Sequence, residues 1–135
     1  MKLLNAIPAL PVGNIQNSAT FFCDKLGFRV VHFDECGFAI LQRDAVELHL
    51  WAATDESWQM REGTKPVVSG AESFIAGTAS CRIGVINIDE LHDEVFPMNI
   101  NHPNAPLRDT DFGTREFGVL DIDGNLITFF ERVSA

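Results

Sequence analysis

The sequence predicts an α+β fold made of two copies of one unit, because two pairs of segments match at nearly constant spacing. Residues 37–51 match residues 116–130 at an offset of 79, and both patterns read as two strands joined by a turn at an aspartate. Residues 7–15 match residues 80–88 at an offset of 73, and each pattern reads as a strand that leads into a helix.

The shared unit is therefore strand–helix–strand–strand–strand, or βαβββ. The first copy covers about 5–51 and the second about 79–131. A connection of 52–78 joins them, and a connection of this length is often a binding loop or a lid. Trp58 lies within it, and an indole without a packing role is unusual, so this residue is a candidate for ligand contact.

Each unit carries one predicted helix. The first runs from about Ile15 to Leu26, with Asn14 as its N-cap and Gly27 ending it. The second runs from about Asp89 to Phe96 and is followed by Pro97. Both segments have apolar residues at helical spacing, so each helix is expected to cover one face of the sheet in its own unit.

Composition indicates an ordinary globular protein. The chain has 135 residues, 46% of them hydrophobic and 21% charged, which argues against disorder and predicts a single domain over 1–135. No apolar run approaches the roughly 20 residues of a membrane span, and the first residues do not form a secretory signal. Three cysteines without metal-site spacing indicate reduced thiols, so a cytoplasmic location is expected.

The formal net charge of −9 argues against nucleic-acid binding, because a phosphate backbone would be repelled. The same charge is compatible with a cationic small ligand, and it also serves solubility alone. Eleven phenylalanines and no tyrosine supply apolar contact area without hydroxyl groups.

Several catalytic motifs are absent from the sequence. The segment Asp121–Gly124 begins like a calcium loop, but its glycine comes too early and the closing glutamate is missing, so it is predicted to be a hairpin turn. Neither a nucleophile elbow nor a glycine-rich phosphate loop is present.

The last strand of the first unit carries the most informative polar residues. Glu47, His49 and Trp51 alternate with three aliphatic residues, so they are expected to share one face of the strand. That face forms either a solvent-exposed surface or the wall of a cavity.

Two motifs resemble a known family. Residues 21–28 are similar to its aromatic pair followed by Leu-Gly-Phe, and residues 113–125 are similar to its Gly-Arg-Glu-Phe block with a closing Gly-Asn. Together with the repeat, they resemble the vicinal oxygen chelate superfamily, which includes glyoxalase I, extradiol dioxygenases and resistance proteins for fosfomycin and bleomycin. The resemblance implies two curved mixed sheets.

The enzymes of that superfamily hold a divalent metal through residues on the first and last strands of each unit. The resemblance places those four positions at Ile7, His49, Ser80 and Thr128. Only His49 is a credible ligand, whereas a catalytic site needs about three ligands of the His or Glu type. We therefore expect no metal, no other cofactor and no catalytic residue.

Vacated metal positions are typical of the bleomycin-resistance branch, whose members are non-enzymatic dimers that sequester a bulky cationic glycopeptide between subunits. Residues 3–10 resemble that branch's opening strand, which partners typically exchange. Phe38 matches an aromatic position of the binding groove, Phe33 is similar to a second one, and Phe112 falls where the branch usually has a tryptophan.

The sequence and the resemblance together predict a homodimeric binding protein for a flat, cationic, bleomycin-like compound, with no nucleic-acid or membrane partner. The candidate ligand-binding residues are Phe33, Phe38, Glu47, His49, Trp51, Trp58, Phe112 and Gly113.

Two alternatives remain open. One is a metal-dependent lyase, isomerase or dioxygenase that uses His49 and Glu47 with ligands from the partner chain or from the connection. The other is a binding module for a different aromatic metabolite, which would share the aromatic groove and differ only in its occupant.

Overall fold

The computed structural model of the chain describes residues 1–34, 37–53 and 75–133. The elements of the first unit are β1 (Ala9–Val12), α1 (Ile15–Leu26), β2 (Arg29–Asp34), β3 (Phe38–Arg43) and β4 (Val46–Ala52). Those of the second unit are β5 (Ser80–Gly84), α2 (Ile88–Val95), β6 (Arg108–Asp109), β7 (Thr114–Leu120) and β8 (Leu126–Arg132). A short 3-10 helix, Phe96–Met98, follows α2.

Each unit forms one four-stranded mixed sheet. The strand orders are β1-β4-β3-β2 and β5-β8-β7-β6, with the first and last strands of each unit parallel and the other pairs antiparallel. The predicted α+β fold of two βαβββ repeats is confirmed. The boundaries near residues 51 and 79 and the single-domain assignment stay predictions, and most of the 52–78 connection lies outside the described residues.

The register of the parallel strand pairs reproduces the internal match. Ala9 lies beside His49 in the first sheet, and Arg82 lies beside Thr128 in the second. Ala9 and Arg82 are 73 positions apart and His49 and Thr128 are 79 apart, which are the two offsets found in the sequence. Equivalent positions on β1 and β5 and on β4 and β8 can therefore be compared directly. Strands β3 and β7 correspond at 78 instead of 79, because Phe38 pairs with Trp51 whereas Glu116 pairs with Phe130.

Helix α1 has the predicted bounds and the predicted ends. The Asn14 side chain accepts a hydrogen bond from the Asn17 N–H at 2.9 Å, which satisfies one of the unpaired donors of the first turn. Gly27 ends the helix in the left-handed conformation at φ 70°, where a glycine has no steric penalty. The buried apolar stripe is Ile15, Ala19, Phe22 and Leu26.

Helix α2 begins one residue before the predicted start and ends one residue before the predicted end. The Glu131 carboxylate accepts hydrogen bonds from the Asn87 and Ile88 N–H groups at 2.9 and 3.0 Å, so the helix begins at Ile88 against the last strand. Phe96 belongs to the 3-10 turn that contains Pro97. No helix in the described part of the chain combines the length and the apolar run that crossing a membrane would require.

The core lies where the helices pack on the two sheets. One face of each sheet is buried against its helix, and the side chains from both units form one hydrophobic cluster. The members of this cluster include Leu10, Phe22, Leu48, Leu50, Ile83, Phe117, Val119, Ile127 and Phe129. The opposite face of each sheet is less buried and carries the polar and aromatic side chains described below.

The described cysteines are not paired. Cys23 and Cys81 are free thiols, while Cys36 lies outside the described residues. Burial raises the pKa of Cys81 to about 11, so this thiol is neutral near pH 7 and is a weak nucleophile there.

A buried asparagine joins the two units. The side chain of Asn125 is 0% exposed, and its Nδ2 donates to the Pro11 carbonyl at 2.9 Å and to the Asp121 carboxylate at 2.8 Å. Its Oδ1 accepts from the Ala79 N–H at 3.0 Å. We call Asn125 with these three partners the asparagine clamp. It ties the β7–β8 turn of the second unit to the first strand of the first unit.

We expect Asn125→Ala to lower the free energy of unfolding by about 2–4 kcal/mol, because the Ala79 N–H and the Asp121 carboxylate each lose a partner and the Pro11 carbonyl keeps only the longer bond from the Gly77 N–H at 3.4 Å. Urea denaturation followed by circular dichroism measures the change. The control is Asn104→Ala at an exposed site, for which we expect a change within about 0.5 kcal/mol. Equal midpoints for the two variants would show that the asparagine clamp contributes little to folding.

Candidate ligand-binding site

Strand β4 separates core residues from candidate site residues by alternation. Leu48 and Leu50 are fully buried against the core, whereas Glu47, His49 and Trp51 lie on the other face and are half-buried. Successive side chains of a strand point to opposite faces, so all three candidates project from the side that the helix does not cover.

Four rings gather on this face around Phe38. Phe38 lies opposite Trp51 in the register, and their ring centroids are 4.4 Å apart. His49 meets Phe38 edge-on at 5.2 Å, and His32 lies 5.7 Å from it on the neighbouring strand. We call His32, Phe38, His49 and Trp51 the aromatic cluster. The rings are tilted or perpendicular to the Phe38 ring, at 39° to 90°, and their partly exposed faces can contact another planar group.

A carboxylate lies directly beside the aromatic cluster. Glu47 Oε2 is 2.6 Å from His49 Nε2, and both side chains are only partly buried. The carboxylate fixes the orientation of the imidazole next to Phe38. It also gives this end of the aromatic face a negative charge.

The indole nitrogen of Trp51 has an unusual environment. Its Nε1 is buried, and it has no hydrogen-bond acceptor within the ranges that the structure describes. A buried indole N–H normally has a partner, so this donor can serve an acceptor that comes from outside the described residues.

Phe33 lies away from the aromatic cluster. It pairs with Ala39, which is fully buried, and its ring packs against the hydrophobic core. The register of β2 and β3 shifts between Val30 and His32, so His32 pairs with Ile40 and lies on the same face as Phe38. The sequence comparison did not identify His32 as a site residue.

Two candidate site residues, Phe112 and Gly113, lie on the second unit. Phe112 is 63% exposed in the loop between β6 and β7, next to Gly113, which has φ 88°. The Gly113 carbonyl accepts from the Val133 N–H at 3.0 Å, which holds this loop against the end of β8. Among the described residues, no ring contact joins Phe112 to the aromatic cluster, and Trp58 lies outside those residues.

The corresponding face of the second sheet carries an ion pair at its centre. Arg82 binds Glu116 through two hydrogen bonds of 2.9 and 3.2 Å, and the Thr114 hydroxyl donates to the same carboxylate at 2.7 Å. The hydrogen bonds from Arg82 hold the pKa of Glu116 below its ordinary value. The guanidinium of Arg82 also lies over the Phe130 ring, 4.7 Å from its centroid.

These residues do not fit the divalent metal of the related enzymes. His49 has Ala9 beside it on β1, and Ile7 has no donor atom. At the equivalent centre of the second sheet, the positive charge of Arg82 beside Thr128 would oppose a cation. No group of three or more His, Cys, Asp or Glu side chains able to hold a metal occurs within the described ranges. The described residues therefore do not supply a ligand set for metal-dependent catalysis.

The internal repeat also predicts an aromatic ring on the face of the second sheet. At the offset of 79, Phe130 is the counterpart of Trp51, which places an aromatic ring on the same face of both sheets. The Arg82–Glu116 pair had no comparable signal, because its two members are 34 positions apart in the chain.

Comparison with curated proteins shows which family this pattern belongs to. A bleomycin resistance protein from Geobacillus stearothermophilus is 53% identical over 133 residues, covering 98% of this chain and all of the relative. A bleomycin resistance protein from Staphylococcus aureus matches to the same extent. The chain belongs to the bleomycin resistance protein family. This places it in the vicinal oxygen chelate superfamily, as the two motifs predicted, although no family model matches the sequence.

Solved structures of this family share the fold. A bleomycin-binding protein from Streptomyces verticillus, complexed with copper(II)-bleomycin, is 25% identical, has a TM-score of 0.71, and covers 100% of this chain and 99% of its own. The bleomycin resistance determinant encoded on transposon Tn5 is 22% identical, with a TM-score of 0.69 and coverage of 96% and 98%. A lactoylglutathione lyase from Agrobacterium tumefaciens also matches at a TM-score of 0.71 with 15% identity, over 94% of this chain and 92% of its own, so the shared fold alone does not separate binding from catalysis.

We expect the stability contributed by Glu116 to depend on pH. Its pKa is lowered in the folded state, so its contribution is present above the ordinary carboxyl pKa and is lost as the pH falls through the lower folded value. Glu116→Gln should lower the free energy of unfolding by about 1 kcal/mol at pH 7, a small value because Arg82 is partly exposed. The difference from the unchanged protein should shrink at about pH 3.5.

Urea midpoints at the two pH values measure this effect. The control Asp24→Asn removes an exposed carboxylate and should leave the midpoint nearly unchanged at both. A deficit of Glu116→Gln that is equally large at low pH would contradict an ionic origin.

Proposed function

We propose that the chain binds bleomycin-class glycopeptides without changing them chemically, and that it confers resistance by sequestration. The observation that carries the proposal is the half-exposed aromatic cluster beside the Glu47 carboxylate, in a chain that is 53% identical along its length to bleomycin resistance proteins. Bleomycin is bound by structural neighbours with the same fold.

The physical basis of recognition is stacking combined with charge. A flat heteroaromatic group gains contact area and favourable quadrupole interactions on Phe38 and Trp51. A cationic tail is attracted by Glu47 and by the net charge of −9. Both contributions are reversible, and neither requires a metal or a covalent step. Trp58, Gly113 and Phe112 complete the proposed contact set, whereas Phe33 is left out because its ring packs against the core.

We further propose a homodimer in which each binding groove uses both subunits. Phe112 is exposed on the second unit, and it shares no described ring contact with the aromatic cluster of its own chain. A partner's Phe112 loop can supply the opposite wall for a stacked ligand. The segment before β1 also carries exposed apolar side chains, Leu3 and Leu4, which favours its exchange with the partner.

The cytoplasm is the proposed compartment, because the two described cysteines are free thiols. Neither a nucleic acid nor a membrane is a proposed partner, since the acidic charge of the chain would repel anionic surfaces.

We expect Phe112→Ala to weaken bleomycin binding about tenfold, because the variant loses one stacking partner worth about 1–1.5 kcal/mol. Isothermal titration calorimetry with metal-free bleomycin and with copper(II)-bleomycin measures the dissociation constant. The matched control is Phe96→Ala, which removes a ring that is 60% exposed on the 3-10 helix, against 63% for Phe112. Unchanged protein that fails to bind at micromolar concentration would rule out this ligand, and equal affinity in Phe112→Ala would remove Phe112 from the site.

We expect Glu47→Gln to weaken binding of the cationic ligand by about 0.5–1 kcal/mol at low salt, because a partly exposed charge is removed. The loss should diminish as ionic strength rises, since salt screens the attraction. Titrations at two salt concentrations measure this, with Asp24→Asn as the control for overall charge. A loss that is independent of salt would point to a change in the shape of the site.

A further inference from the structure

A cavity of about 550 Å³ lies between the two units, and its lining contains no member of the aromatic cluster. We call it the seam cavity. Its walls come from the end of α1, the β3–β4 turn, the end of β5 and the first half of α2. The lining includes Phe28, Asp44, Val46, Ile83, Glu90 and Phe129.

The internal repeat shows why this seam is open. At the offset of 79, Val46 takes the position of Asn125, and at the offset of 73, Gly84 takes the position of Pro11. In the asparagine clamp, Asn125 donates to the Pro11 carbonyl at 2.9 Å. Val46 has no donor with which to make the equivalent bond to Gly84, and both residues line the seam cavity instead.

A second bond between the units is also missing from this seam. At the contact between the units that holds the asparagine clamp, the Asp123 carboxylate accepts from the Gly13 N–H at 3.1 Å. The counterparts of these two residues at the same offsets are Asp44 and Ile86, and both line the cavity. A Cβ atom at Gly13 would lie 3.0 Å from the Asp123 carboxylate, whereas Ile86 carries a full side chain that is 93% exposed. Asp44 therefore remains part of the lining of the seam cavity.

A different contact bridges the open seam. The Arg43 guanidinium donates to the Leu26 carbonyl at 2.8 Å and to both carboxylate oxygens of Glu94 at 2.8 and 3.1 Å. The hydrogen bonds from Arg43 hold the pKa of Glu94 below its ordinary value. The positive charge of Arg43 is thus matched by Glu94 and is not available to a ligand.

The remaining charge of the lining is negative. Glu90 and Asp44 are the other two carboxylates, and Arg43 is the one cationic residue of the lining. Two of the N–H groups at the start of α2, those of Asn87 and Ile88, already donate to Glu131, which reduces what this helix end can offset. The apolar part of the lining includes Leu26, Phe28, Ile83, Leu91 and Phe129. The cavity thus combines an apolar floor with an excess of negative charge.

We propose that the seam cavity binds a small amphiphilic cation, with its apolar body against Phe28, Ile83 and Phe129 and its ammonium group near Asp44 and Glu90. A volume of this size is in the range that holds small organic ligands. The site is distinct from the aromatic cluster, so occupancy of one does not require occupancy of the other. It does not depend on the identity of the ligand proposed above.

Decyltrimethylammonium, kept below its micelle concentration, is the probe. Isothermal titration calorimetry of the full chain should show one saturable site per chain. Val46→Trp fills the cavity from the turn and should weaken binding at least tenfold. Glu90→Gln should weaken it about threefold or more, whereas Asp93→Asn, which removes an exposed carboxylate of the same helix outside the lining, should leave it unchanged. The uncharged decyldimethylamine oxide should bind more weakly than the cation.

Amide chemical shifts provide a second measurement that needs no variant. Shifts concentrated in residues 43–46 and 83–91 support the proposal. Absence of a saturable site overturns it, and so does binding that Val46→Trp leaves intact. Binding that Phe38→Ala abolishes also overturns it, because the probe would then occupy the aromatic cluster.

Discussion

The hydrogen bonds of one buried asparagine decide how the two halves of this protein meet. Asn125 holds the Pro11 carbonyl of β1, and Pro11 is the register partner of Trp51 on β4. The asparagine clamp therefore positions the strand beside the aromatic cluster, although Asn125 has no part in that cluster. A buried amide with all its partners satisfied suits this role, because any displacement would leave polar groups unpaired inside the protein.

The two sheets use the same architecture for different chemistry. The face of the first sheet carries rings and a carboxylate, whereas the face of the second carries a guanidinium that is paired with Glu116 and stacked on Phe130. In the first sheet, His49 contacts Glu47 and Phe38, and in the second, Arg82 lies beside Thr128 and pairs with Glu116. The same fold thus presents two different surfaces for non-covalent recognition.

Signals within a few residues predicted the helices and strands well. Features that depend on contacts between distant residues could not be predicted. Asn14 and Gly27 define α1 from sequence because capping depends only on neighbours. The alternation on β4 also predicts that Glu47, His49 and Trp51 share a face. The placement of Phe33 was not predictable, because the irregular register between Val30 and His32 reverses the faces and no residue pattern marks it. The pair of Arg82 and Glu116 is created only when β5 and β7 come together.

The two units are joined by the Asn125 amide at one seam and are separated by a cavity at the other. The two hairpin turns therefore differ in how freely their sequences can vary. In the turn that contains Asn125, substitutions of Asp123 and Asn125 should be poorly tolerated, since each removes a side-chain hydrogen bond to the first unit. The turn that contains Val46 would accept many. The two copies of the turn therefore contribute unequally to the cohesion of the two units, and only the copy with Asn125 carries the side-chain amide that joins them.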